Sequence, residues 1–168
     1  ALSWFLGAGV NIELDKPCSW DTDFGMLFSL LIVRESLGVL ETTWHTTVPL
    51  HYPLEVCNWK RIRCSEQGVS GLYFNSAKLN GTLPTELVGL QQLQEFWAYS
   101  SPDLVGSIPT QLGQLTALKK VQVQLTTLTG TIPTELGQLS RLETLTLYGT
   151  RLQGDMPDQV CALREEKP

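Results

Sequence analysis

The side chains with the widest chemical reach are four cysteines, Cys18, Cys57, Cys64 and Cys161, and two histidines, His45 and His51. A metal centre needs several soft or imidazole ligands converging at short, regular spacings. Cys57 and Cys64 are separated by six residues with no histidine close by, which is poor zinc spacing. Catalysis needs a nucleophile, a base or a metal gathered in one pocket. Both histidines fall in the single stretch ETTWHTTVPLHYPLEV, where neither has an evident partner, so they read as ordinary surface or cap residues. No catalytic residue, metal site or cofactor is expected. The four cysteines allow three connectivities, and four reduced thiols in a cytosolic protein are the alternative.

Composition narrows the function further. With 42% hydrophobic and 17% charged residues over 168 positions, the chain has enough apolar material for a continuous core, so disorder is not expected over most of it. Twelve basic against 17 acidic residues give a net charge of -5, with no basic block able to coat a phosphate backbone, which argues against nucleic acid as a partner. The greasiest run, from Met26 to Val33, contains Ser29 and stops at Arg34, far short of the roughly 20 residues that cross a bilayer. No membrane span is expected. The opening ALSWFLGAGV lacks both an initiator Met and a basic segment, so the chain reads as a fragment or a processed product.

The elements that would position any site follow from an internal repeat. LNGTLPTELVGL, LVGSIPTQLGQL, LTGTIPTELGQL and LQGDMPDQVCAL start at Leu79, Leu104, Leu128 and Leu152. Their glycines, Gly81, Gly106, Gly130 and Gly154, lie 25, 24 and 24 residues apart, and Pro84, Pro109, Pro133 and Pro157 keep that spacing. A strand-like stretch precedes each motif. In LETLTL, period-two alternation places Leu145 and Leu147 inward and Thr144, Thr146 and Tyr148 outward. The same register sets Val121 and Val123 inward from Lys120, Gln122 and Gln124, and Leu72 and Phe74 inward from Tyr73 and Asn75. After each strand the glycine permits a close turn and the proline sets φ for one helical or 3₁₀ turn. Leu79, Leu83, Leu87 and Leu90 and their equivalents then project into the stack. No coil can bury its own row, so coils must stack, Leu87 beside Leu112 beside Leu136. Leu93 to Leu104 spans eleven residues where Leu118 to Leu128 and Leu142 to Leu152 span ten, which predicts a bulge in YSSPD.

The pattern LxxLxLxxxxLxGxIPxxLGxL resembles the plant-type and algal extracellular leucine-rich repeats of receptor ectodomains and polygalacturonase-inhibiting proteins. The resemblance implies a right-handed α/β solenoid with a parallel sheet on its concave face, short helical or 3₁₀ turns on its convex face, and no active site. It covers four repeats over residues 68–163. One departure concerns the family's Asn after the strand, replaced here by Ala77, Thr126 and Thr150, which predicts looser turns. CNWKRIRC resembles the family's N-terminal cap CxWxGVxC at Cys57, Trp59, Ile62 and Cys64, departing at Arg61. That likeness implies a Cys57–Cys64 disulfide with Trp59 covering the first coil. Cys18 and Cys161 lie at opposite ends of such a stack, beyond the roughly 7 Å a disulfide spans. Asp21, Thr22 and Asp23 read as the start of a helix ending near Gly38, which resembles the helix that opens the family's cap, and the resemblance implies that Trp44 corresponds to a cap tryptophan. The chain divides into an unassigned 1–20, a cap over 21–67, the repeats, and a tail at 164–168 that implies a missing C-terminal cap.

Function is then expected on the outward face of the sheet. Coil stacking brings Tyr73, Trp97, Gln122 and Thr146 into one column and Asn75, Tyr99, Gln124 and Tyr148 into another, flanked by Glu95 and Lys120. Exposed aromatics beside amides and charges make a recognition surface for a protein, peptide or glycan. The alternative is that Trp97 and Tyr99 merely pack on the irregular turn. Asn80-Gly81-Thr82 is a glycosylation sequon on a flank that leaves the concave face free. The leading reading is an extracellular or cell-surface, non-catalytic binding module, alone or as the ectodomain of a longer receptor. The runners-up are a secreted inhibitor of a cell-wall-degrading or other extracellular enzyme, and a structural or ice-surface protein displaying Thr82, Ser107, Thr131 and Asp155.

Overall fold

The computed structural model describes residues 22–39, 56–57, 59–75 and 77–164. The segment 1–20, Asp21, Trp44, His45, His51 and the last four residues lie outside them, and so do the readings made of those positions.

Helix α1 (Thr22–Ser36) opens the described chain, and Gly38 just beyond it has φ +57, the left-handed turn that ends many helices. Leu30, Val33 and Leu37 are fully buried against the first coil. A hairpin follows, β1 (Ile62–Ser65) antiparallel to β2 (Gly68–Tyr73). From β2 onward the chain winds in coils. β4 (Glu95–Trp97), β6 (Lys120–Gln122) and β7 (Thr144–Thr146) extend one parallel sheet in the order β1-β2-β4-β6-β7. On the flank, β3 (Asn80–Thr82) pairs in parallel with β5 (Asp103–Val105), and the later coils continue that rung through the Thr131–Gln153 bridge. Each coil closes with a short turn: 3₁₀ at Thr85–Gly89, Thr110–Gln114 and Thr134–Gln138, and the short helix α2 (Asp158–Ala162) in the last coil. The prolines stand one residue earlier than expected. Pro84, Pro109 and Pro133 are extended, with ψ between 135° and 146°, and cap the turn rather than forming its first helical residue.

Burial follows the inward register. Leu72, Phe74 and Phe96 are 0% exposed, and Leu87, Leu112 and Leu136 form the adjoining row of the three 3₁₀ turns at 1%, 2% and 0%. Each such leucine is worth roughly 1.5–3 kcal/mol when removed from water. Tight stacking also explains two glycines. A Cβ on Gly113 would stand 2.2 Å from the Glu135 carbonyl oxygen of the next coil, and one on Gly137 2.7 Å from the Gln159 carbonyl oxygen, so these two turns must be bare where they touch the next, whereas Val88 holds the equivalent place in the first turn. The last coil departs from the pattern: Leu145, Leu147, Leu152 and Leu163 are only partly buried and Met156 is 44% exposed, because the described residues place no further coil over them.

The irregular turns have specific closures. In YSSPD the chain stays in register as far as the Ser101–Thr126 bridge, and the extra residue is absorbed before Leu104, whose N–H donates to the Ser101 carbonyl at 3.0 Å. The Thr127 hydroxyl donates to the Pro102 carbonyl across that bulge. Where Asn was expected, the Thr126 and Thr150 hydroxyls donate to the carbonyls of Val123 and Leu147, each at 2.8 Å, so two of the three substituted turns keep a side-chain clasp.

Candidate recognition surface

The parallel register sets the first column as expected: Tyr73 pairs with Trp97, Trp97 with Gln122, and Gln122 with Thr146. A second row, Gly71, Glu95, Lys120 and Thr144, runs beside it. Adjacent coils therefore bring residues some 25 positions apart to roughly 4.8 Å strand spacing. Glu95 is the hub. Its carboxylate accepts from Arg63 Nη2 at 3.0 Å and from the Tyr73 hydroxyl at 3.0 Å, and lies 3.6 Å from Lys120 Nζ. Burial by itself would raise the Glu95 pKa, but the hydrogen bonds of Arg63 and Tyr73 and the charges of Arg63 and Lys120 outweigh it and hold the carboxyl below its usual range. Tyr73 moves the other way. Desolvation first, then the hydrogen bond and charge of Glu95, push its phenol up to about 12, against the opposing charge of Arg63.

Three rings continue from this cluster. Tyr73 and Trp97 meet edge to face at 4.8 Å and 85°, and Trp97 and Tyr99 lie 6.4 Å apart at 42°. The Arg63 guanidinium sits 5.2 Å from the Tyr73 centroid, a cation-π contact that adds to its ion pair. Arg63 was not singled out in the sequence. Its signal was the alternation inside CNWKRIRC, which a hairpin turns into a residue facing the same way as Tyr73.

The second column differs from expectation. Asn75, Tyr99, Gln124 and Tyr148 all lie beyond the strand ends, although bonds from Ala98, Ser100, Val123 and Leu125 N–H to the next coil keep the coils aligned there. Gln124 is not an exposed contact: it is 9% exposed, on the coil between those that carry Tyr99 and Tyr148. Tyr148 is 64% exposed and Asn75 half-buried. Among the described residues, Trp97 Nε1, Ser101 Oγ and Gln124 Oε1 are buried without a protein hydrogen-bond partner.

The cap behaves as a clamp on the first strand. Cys57 and Cys64 are disulfide-bonded, and Trp59 is 6% exposed within the core. Arg61, at the position where the resembling cap has Gly, adopts φ +73, and its Nη1 donates to the carbonyls of Tyr73 at 3.1 Å and Asn75 at 3.0 Å. Two bonds to the edge of the face offset the disfavoured backbone. Cys161 is free and exposed, and Cys18 lies outside the described residues. No group of three or more His, Cys, Asp or Glu among the described residues could hold a metal ion. No helix among them is long and apolar enough to cross a membrane. Asn80 is exposed on β3, with its side-chain oxygen set against Gly38 at the end of α1.

No family model and no curated protein matches the chain. Solved structures do. The PEPR1–AtPEP1 complex superposes with a TM-score of 0.75 at 27% identity over 81% of this chain and 19% of that one. A plant ice-binding protein gives 0.73 at 26% over 88% and 46%. The leucine-rich repeat ectodomain of the plant membrane receptor kinase GASSHO1/SCHENGEN3 from Arabidopsis thaliana, in complex with CASPARIAN STRIP INTEGRITY FACTOR 2, gives 0.56 at 27% over 80% and 19%. The chain has a leucine-rich repeat fold, with parallel strands and short 3₁₀ turns, and resembles plant receptor ectodomains. It spans less than half the length of each of these three.

Proposed function

We propose that the chain is a non-catalytic recognition module that binds a peptide or protein segment on the sheet face bearing Tyr73, Trp97, Tyr99, Gln122, Thr146 and Tyr148, edged by Arg63, Glu95 and Lys120. The observation that carries this reading is the run of three rings across the first two coils, joined through Tyr73 and Glu95 to an ion cluster that reaches from the cap to the third. Rigid aromatics and an arginine, held in place before any partner arrives, lose little entropy on binding. Two of the structural neighbours hold named partners, AtPEP1 and CASPARIAN STRIP INTEGRITY FACTOR 2, which supports assigning the same kind of task here. We take the winding to be right-handed with this face concave, the domain limits to be 21–67 for the cap and 68–163 for the repeats, and the location to be extracellular, in keeping with the Cys57–Cys64 disulfide. Asn80 is the proposed glycosylation site.

The test is a Trp97→Ala/Tyr99→Ala double variant. Both rings are half-buried rather than core, so its circular dichroism should match the parent while partner capture falls by at least tenfold. Undiminished capture refutes the assignment of this face.

A surface-adhesion reading keeps one support, the likeness to the plant ice-binding protein. The flank carries Thr82, Ser107 and Thr131, but Asp155 ends the row. Thermal hysteresis of the purified chain would favour it over peptide recognition.

A further inference from the structure

The turns after β4, β6 and β7 repeat one backbone conformation. Ser100, Leu125 and Gly149 follow one another on successive coils, joined by Ser100 N–H to Gln124 O and Leu125 N–H to Tyr148 O, and their φ values are +56, +57 and +68. Left-handed backbone is open to glycine and tolerable for short polar residues, but it crowds the Cβ of a leucine. Leu125 gains little from packing in return, since it is 48% exposed. The next coil makes room for it: Leu125 Cδ2 lies 2.8 Å from where a Cβ on Gly149 would stand, so any larger residue there would unseat it. Beside Gly149 projects Tyr148, the most exposed large apolar side chain described. The left-handed conformation belongs to the repeated turn, in which the Leu125 N–H donates to the Tyr148 carbonyl and the Leu125 carbonyl accepts from the Ser101 N–H, but the turn does not require a leucine, and one placed there with half its surface in solvent marks a position kept for contact.

Charge indicates what else the ligand carries. Although the chain is net -5, Arg63 and Lys120 stand beside Glu95 on this face, while Glu86, Glu135 and Asp158 lie on the short turns away from it. Arg63 and Lys120 share the one Glu95 carboxylate, and their side chains are 53% and 39% exposed against its 15%. The accessible charge of the cluster is therefore positive.

Resting on the recognition reading above, we propose that Leu125, seated on Gly149 beside Tyr148, is the apolar anchor for an extended acidic peptide whose carboxylate lies on Arg63 and Lys120. Lys120 and Leu125 are five residues apart on one coil, at most about 16 Å, so the ligand's acidic and large apolar side chains are separated by no more than about five positions.

A phage-displayed library of linear dodecapeptides panned on the whole chain tests this. The expected enrichment is an acidic residue no more than about five positions from Leu, Ile or Phe, with affinity that falls as salt rises. An enriched peptide, resynthesised with a fluorophore, should bind Leu125→Gly and Leu125→Ser at least tenfold more weakly, while the melting midpoint of Leu125→Gly is unchanged or higher. Equal binding to the parent and to both variants overturns the anchor. If Trp97→Ala/Tyr99→Ala abolishes that same binding, the recognition face stands and only the anchor falls; if neither change matters, both fall. Failure to enrich any peptide, or enrichment without acidic residues, also overturns the proposal.

Discussion

Glu95 carries one charge and meets two cations and a phenol, and its value to the fold depends on pH in a direction the geometry fixes. Its folded pKa is depressed, so its contribution is complete above the ordinary carboxylate range and is lost as pH falls through the lowered folded value. Tyr73 has the opposite sign: raised to about 12, it contributes below pH 10 and loses that contribution between about 10 and 12. Glu95→Gln should therefore cost little at neutral pH, about 1 kcal/mol or less given two solvent-exposed partners. It should flatten the acid limb of a melting-temperature profile recorded against pH. A limb as steep as the parent's would show that the carboxylate is not held by Arg63 and Tyr73. At this scale the sequence displayed Glu95, Lys120 and the aromatic residues but not Arg63, because the hairpin pairing of β1 with β2 decides that Arg63 faces Glu95. Gln124 was misjudged for a related reason: alternation says which way a residue points, whereas burial depends on what the neighbouring coils put over it.

The 3₁₀ turns show how an element can be both weak alone and exacting in place. Each spans five residues, too few to hold itself in water, and is secured by the leucine beneath it and the turn beside it. Gly113→Ala brings a Cβ against the Glu135 carbonyl, and the stacked turns can separate only by disturbing the row of Leu112 and Leu136. The expected cost is about 1–3 kcal/mol in chemical denaturation, the usual range for overpacking. A neutral result would mean that the turns are spaced more loosely than this geometry. The repeat motif made the turn and its glycine visible; it did not reveal that the proline lies outside the turn, since an extended proline and a first-turn proline share the same φ.

Across the whole molecule stability should be graded. The described N-terminal end is closed by α1 and by the disulfide-clamped hairpin, whereas β7 and α2 leave Leu145, Leu147, Met156 and Leu163 partly in water. In a stack held by nearest-neighbour contacts, coils with a neighbour on both sides outlast a coil with one. Native-state hydrogen exchange should find the slowest amides in β4 and β6 and the fastest among the strands in β7. Uniform protection from β2 to β7 would contradict this and indicate one cooperative unit.

The sequence by itself determined the coil period, the inward row, the strand register of the first column, the cap helix and, through its resemblance, the cysteine pair. These are written in spacing, and spacing survives in one dimension because stacked coils repeat the same interaction with the same offset. Only the tertiary structure decided the sharing of Glu95 by Arg63 and Lys120, the burial of Gln124, the clasping of the strand edge by Arg61 and the left-handed seat of Leu125 on Gly149. Each depends on atoms from two coils, or from the cap and a coil, meeting within a few ångströms, and no pattern along a single chain encodes which of its many neighbours will come that close.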